Sequence, residues 1–118
     1  MKWFGGQGES ARNQKEKGMN MIVTIHHQIT DPKKWEQVTQ TMTTLMEQNR
    51  LPQGLKALMY LPAADGRRAD CLWEADSLEH LKSFLEPQTG QAARNEYFQV
   101  NAQGAVGLPG QEEMRKAA

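Results

Sequence analysis

The sequence predicts an α+β domain in which two helices cover one face of a four-stranded antiparallel sheet, and three observations carry that prediction. Short runs rich in β-branched or aromatic residues occur at four places, "MIVTIHHQI", "LKALMYL", "ADCLWEA" and "EYFQV". Two stretches between them repeat their apolar residues at helical spacing. An Asp-Gly pair separates the second run from the third, where a tight hairpin turn belongs. The order is strand, helix, strand, strand, helix, strand, which is the ferredoxin-like βαββαβ arrangement.

Each element has its own warrant. Residues 1 to 20 are rich in Gly, Gln, Asn, Lys and Glu, with Trp3 and Phe4 as the large apolar anchors, so the segment reads as a flexible lead. Met19 or Met21 would serve equally well as the start of the chain. The first strand begins at Met21 and is bounded by "TDP". Asp31 then suits a helix N-cap and Pro32 the first helical position, where a missing N–H costs nothing. Trp35, Val38, Met42, Leu45 and Met46 draw one stripe along that helix, which ends before "RLPQG". After the hairpin, Asp76 and Glu79 stand in capping-box spacing. Leu78, Leu81, Phe84 and Leu85 form the second stripe, with a stop near Pro87. A loop leads to the last strand at "EYFQV", and residues 107 to 118 read as a tail.

At 118 residues there is room for one domain, placed at 21 to 106. Fourteen basic and fourteen acidic residues cancel, and no like-charge block lies beyond the lead, which argues against nucleic acid or an anionic membrane as partner. No apolar run approaches the roughly 20 residues of a membrane span, and "MKWFGGQGES" lacks the apolar core of a secretory signal, so a cytoplasmic protein is expected. The single cysteine, Cys71, can form neither an internal disulfide nor a thiolate zinc cluster. There is no phosphate loop, no His-x-x-x-His pair and no Ser-centred elbow, so neither a metal nor a cofactor is expected.

Two helices cover one side of a four-stranded sheet, yet both parities of these strands carry large apolar groups. Ile22 stands against Val23 and Ile25, Leu58 and Tyr60 against Met59 and Leu61, Trp73 against Leu72, and Tyr97 against Phe98. An open face of that kind implies a homodimer packed sheet on sheet. With that topology the chain resembles the dimeric α+β barrel superfamily. The nearest local likeness is to its antibiotic-biosynthesis-monooxygenase-like members, carried by "CLWEADSLEHLKSFL", a strand with a Trp-acid pair running into the second helix. In the quinone-forming members a Trp matching Trp73 lines the cavity, with an Asn one strand-turn earlier. That earlier position is Ala69 here, so the carboxamide those monooxygenases use is missing. In the haem-degrading branch a helix histidine binds iron, and His80 lies on the corresponding helix at a shorter spacing from Trp73, so haem ligation does not carry over.

Strand alternation decides which side chains could share a site. His26 and His27 point in opposite directions and form no chelate. His27 shares parity with Val23, Ile25 and Ile29 and reads as a structural histidine. His26 lies with Ile22, Thr24 and Gln28, a mixed set suited to a cavity wall, and is the candidate base. If Asp65 and Gly66 form a two-residue turn, Tyr60 falls opposite Cys71 and Leu58 opposite Trp73, whereas an odd loop flips the register. Tyr60, Cys71, Trp73 and Leu58 are then candidate ligand-binding residues of an apolar cavity inside the barrel, although Trp73 reads equally well as plain core or interface. Asp70 and Glu74 share a face as an acid/base pair or as solvated charge, and Met42, Met46 and Met59 read as gap-filling core.

The function expected from these residues is that of a homodimeric small-molecule-binding protein for an apolar or aromatic metabolite. As an enzyme it would run a cofactor-independent oxygenation or isomerisation with His26 as base. One rival is a non-catalytic stress or assembly protein with a dry sheet interface. Another is a haem binder through His80 or His26.

Overall fold

A computed structural model of the chain describes residues 20 to 109. The expected lead over 1 to 20, except Asn20, and the expected tail from residue 110 onward lie outside the described residues. The elements are β1 (Met21–Ile29), α1 (Pro32–Glu47), β2 (Leu55–Pro62), β3 (Arg68–Ala75), α2 (Leu78–Thr89) and β4 (Ala93–Gln99). They form one four-stranded sheet in the order β2-β3-β1-β4, with every neighbouring pair antiparallel. This is the ferredoxin-like βαββαβ topology.

The alternation along β1 sorts the sheet into two faces. Val23, Ile25 and His27 are buried, and on β3 Ala69, Trp73 and Ala75 share their side. Leu81 and Leu85 of α2 pack on Val23, Ile25 and Trp73, while Trp35 of α1 packs on Ala69 and Ala93, so both helices lie on this one face. Trp73 also meets the Phe84 ring edge-on at 6.3 Å. The opposite face carries Ile22, Thr24, His26 and Gln28 of β1, with the even residues of β3 and β4 beside them.

Local chemistry sets the element ends. Asp31 caps α1 by accepting from Lys34 N–H at 3.1 Å. The helix closes with Asn49 at positive φ, where Arg50 N–H reaches Leu45 O and Asn49 N–H reaches Met46 O, a Schellman motif. Gly54 has φ +93°, and a Cβ there would lie 2.3 Å from the Asp76 carboxylate, so both conformation and space demand glycine.

Five expectations need correction. The cap of α2 is Ser77, whose hydroxyl accepts from His80 N–H, and not Asp76, which instead contacts the His80 ring. The helix runs through Pro87 to Thr89, although the proline gives up its own N–H bond and crowds the carbonyl four residues back, and it ends two residues later. The last strand starts at Ala93, three residues before Glu96, because Ile29 pairs with Ala93. In the hairpin Ala63 N–H bonds Arg68 O and Gly66 N–H bonds Ala63 O, so the loop is four residues (64 to 67) and not two. That number is even, and Tyr60 does face Cys71. A bulge between Ala57 and Met59 then shifts the ladder, so Ala57 and not Leu58 stands opposite Trp73.

Candidate functional site

Tyr60, Cys71 and Trp73 share one face, but it is the face that α1 and α2 cover. They therefore border a cavity within the subunit, between the sheet and α1, of about 120 Å³. Its lining includes Trp35, Val38, Met42 and Thr39 from α1, Leu85 and Thr89 from α2, and His27, Tyr60, Cys71 and Trp73 from the sheet. Leu58, displaced into the bulge, is not part of it. His26 is on the other face, where its ring contacts the Asp70 carboxylate, so the structure does not bring it to Tyr60 and Trp73. His80 is also outside the cavity, held by Asp76 at 2.7 Å.

His27 is the polar centre of this cavity. It is 3% exposed and stacks at a tilt on Trp35 with the ring centroids 4.7 Å apart. Its Nδ1 lies 2.6 Å from Asn95 Oδ1 and its Nε2 lies 3.1 Å from Cys71 Sγ. The direction of these bonds is set from the outside inward. Asn95 Nδ2 sits 2.8 Å from Glu86 Oε2 and 2.7 Å from Thr89 Oγ1, and a carboxylate only accepts, so the amide nitrogen faces Glu86 and its oxygen faces His27. His27 Nδ1–H must then donate to that oxygen. Its Nε2 is left as an acceptor, and the Cys71 thiol donates to it.

The electrostatics agree with that neutral assignment. Burial lowers the His27 pKa below its ordinary 6.5, with the Asn95 bond opposing only in part. Burial also pushes the Cys71 thiol up to about 12. Both shifts hold the resting pair as thiol and imidazole, not thiolate and imidazolium. Outside the cavity Glu86 also accepts from Tyr97 O–H at 2.6 Å, and burial together with that carboxylate raises the Tyr97 pKa.

Tyr60 supplies a second polar point at the rim. Its oxygen accepts from Trp35 Nε1–H at 3.0 Å, which leaves its own proton directed elsewhere. Such a pocket can seat a small, largely apolar molecule and offer it one hydroxyl donor and one acid-base pair.

Sequence reasoning singles out neither His27, Trp35 nor Asn95 as a site residue. A histidine on the apolar parity of a strand is itself a signal, because a buried imidazole needs partners for both nitrogens. Asn95 is hidden by a strand start placed at Glu96, whereas the true ladder sets it directly opposite His27.

The open face has a different character. Along it, Asp70, His26 and Glu96 lie side by side across β3, β1 and β4, next to Arg68, Gln28 and Arg94, around an open hollow of about 830 Å³. Farther along stand Met59, Leu72, Thr24 and Phe98. Leu61 is 56%, Phe98 49% and Met59 39% exposed. Among the described residues no group of three or more His, Cys, Asp and Glu converges as metal ligands, and no helix is long and apolar enough to cross a membrane. Compared with models of protein families, with curated proteins and with solved structures, the chain matches none.

Proposed function

We propose that this protein binds a small, largely apolar molecule in the cavity between α1 and the sheet, and that it does so as a homodimer joined through its open face. The observation that carries the reading is His27, a buried imidazole fixed by Asn95 so that its basic nitrogen borders an otherwise apolar cavity beside Cys71. A dry cavity of about 150 Å³ takes a benzene ring, so the about 120 Å³ here suits a small ring or a short chain. Met42 and Met46 along α1 are adaptable enough to widen it. If the bound molecule is turned over, the proton-transfer step of an isomerisation belongs to His27 and not to His26, which faces the other way.

The dimer rests on the open face. A monomer that leaves Leu61, Phe98 and Met59 together at a surface no helix covers carries an apolar patch of the kind that marks an interface. Acidic and basic residues lie side by side at one end of the same face, which gives two copies opposite charges to pair.

The test of the cavity is a panel of single-ring and short-chain uncharged compounds, scored by tryptophan fluorescence and by the shift in Tm. Binding by the wild type and its loss in Val38→Phe, which fills the cavity, would support the reading. A panel in which no compound binds would end it. Sedimentation velocity tests the other half, and a monomer at tens of micromolar would remove the dimer.

A further inference from the structure

We propose that Cys71 is a nucleophile whose thiol proton is taken by His27, and that the cavity admits a small uncharged carbonyl compound to which the sulfur adds. The proposal rests on the cavity being a small-molecule site. It extends that reading from binding to a covalent step.

Three side chains from three adjacent strands make the arrangement, Cys71 on β3, His27 on β1 and Asn95 on β4. Their bonds run in one direction, thiol to imidazole to carboxamide, and Glu86 anchors the far end. This is the logic of a nucleophile, a base and a group that orients the base. The base cannot turn away, because Nδ1 is committed to Asn95 and the ring is stacked on Trp35. The first proton within reach of Nε2 is the one on Cys71 Sγ. Both groups border the same cavity, so an electrophile placed there meets the sulfur.

The step balances without an oxidant or a second reactant. Cys71 Sγ–H gives its proton to His27 Nε2 as a sulfur electron pair forms the S–C bond to the carbonyl carbon. The π pair of C=O moves to oxygen, where the Tyr60 O–H can hydrogen-bond to it, since the Tyr60 oxygen is already occupied by Trp35 Nε1–H. The oxygen then takes the proton from Nε2. The product is a hemithioacetal, and the imidazole returns to its starting form. An uncharged substrate is required because the site disfavours charge on both of its own titrating groups.

Base assistance leaves a signature in pH. An unassisted thiol reacts as thiolate, so its rate rises tenfold per pH unit up to its pKa. A thiol paired with a neutral imidazole reacts in proportion to that pair, whose population is constant once His27 is deprotonated. The experiment is the rate of alkylation of Cys71 by iodoacetamide on the folded wild-type protein from pH 7 to 9, read by intact mass. In that reaction the S–C bond forms and iodide leaves. A flat profile is expected, with His27→Gln slower at pH 7 and rising about tenfold per unit. A wild-type rate that climbs tenfold per unit would overturn the proposal, and this measurement needs no variant to fold. In parallel, propanal labelled with ¹³C at its carbonyl should give a tetrahedral-carbon NMR signal with wild type and none with Cys71→Ala. If the uncharged panel compounds bind but alkylation climbs and no tetrahedral carbon forms, the nucleophile is refuted and the binding site stands. If no compound binds and Cys71 is inert, both fall.

Discussion

His26 and His27 are neighbours in sequence and live in different solvents. His27 points under α1, where both of its nitrogens are bonded and its ring is stacked on an indole. His26 points to the uncovered face, meets Asp70 and lies at a tilt 6.0 Å from the Phe98 ring. One peptide bond separates a residue that needs its partners from one that can use water instead. The same contrast holds for the whole sheet, because a face under two helices is tied to stability and a face without cover is free to serve association.

The largest effect should come from making one substitution on each side. Leu81→Ala removes a fully buried side chain beneath the sheet and should cost about 3 kcal/mol, measured by chemical unfolding. Leu61→Ala, on the open face, should change the stability of dilute protein by no more than about 0.5 kcal/mol. Equal costs at high dilution would break the distinction between the faces.

The next effect belongs to His27. His27→Ala strands the Asn95 carbonyl and the Cys71 thiol in a buried site and should destabilise by about 2 kcal/mol. Its pH dependence has a definite sign. Because folding lowers the His27 pKa, the unfolded chain takes up the proton first, so stability is full above about 6.5 and falls as the pH drops below it. Folding raises the Cys71 pKa from 9.0 to about 12, so the unfolded chain loses that proton first and stability falls as the pH rises past 9.0. Unfolding measured between pH 5 and 10.5 should therefore show a plateau from about 6.5 to 9.0. Cys71→Ala should remove the fall between about 9.0 and 10.0 and leave the acid limb, while the raised Tyr97 pKa keeps a decline above 10.0.

On the open face the comparable change is in association. Phe98→Glu puts a charge where the proposed interface is apolar and should weaken the dimer by about 2 kcal/mol, near thirtyfold in Kd, while leaving His27 and its cavity untouched. Sedimentation equilibrium reads the first part and ligand binding the second. A variant that stays fully dimeric would move the interface elsewhere.

How much of this was legible in the sequence follows from the range of each interaction. Strand alternation and helix stripes are local, so the topology, the Asp31 cap and the opposite orientation of His26 and His27 can all be read from the chain. Which of the two sheet faces the helices choose is not local. Both parities of β1 and β3 are apolar enough to be covered, and the choice shows only when Leu81 and Leu85 land on Val23, Ile25 and Trp73. The bulge that displaces Leu58 leaves no mark in "LKALMYL", since it adds one residue to a run that already reads as a strand. Asn95 becomes part of the site only through a partner 68 residues away, beyond the reach of any spacing argument.

The smallest predicted effect sharpens the comparison most. The His26 and Asp70 side chains are 51% and 45% exposed, and a pair so open to water is worth little. His26→Ala should then shift the stability of dilute protein by at most about 0.5 kcal/mol. If a second copy covers this face, the same imidazole and carboxylate become buried together and depend on one another, as His27 and Asn95 already do. The cost of His26→Ala should therefore grow as protein concentration rises through the dimer Kd, whereas the cost of His27→Ala should stay the same at every concentration. Unfolding curves for both variants over a hundredfold range of concentration would separate a residue held by its own fold from one held by a partner. A His26→Ala cost that is large even in the monomer would mean that the open face carries stability of its own.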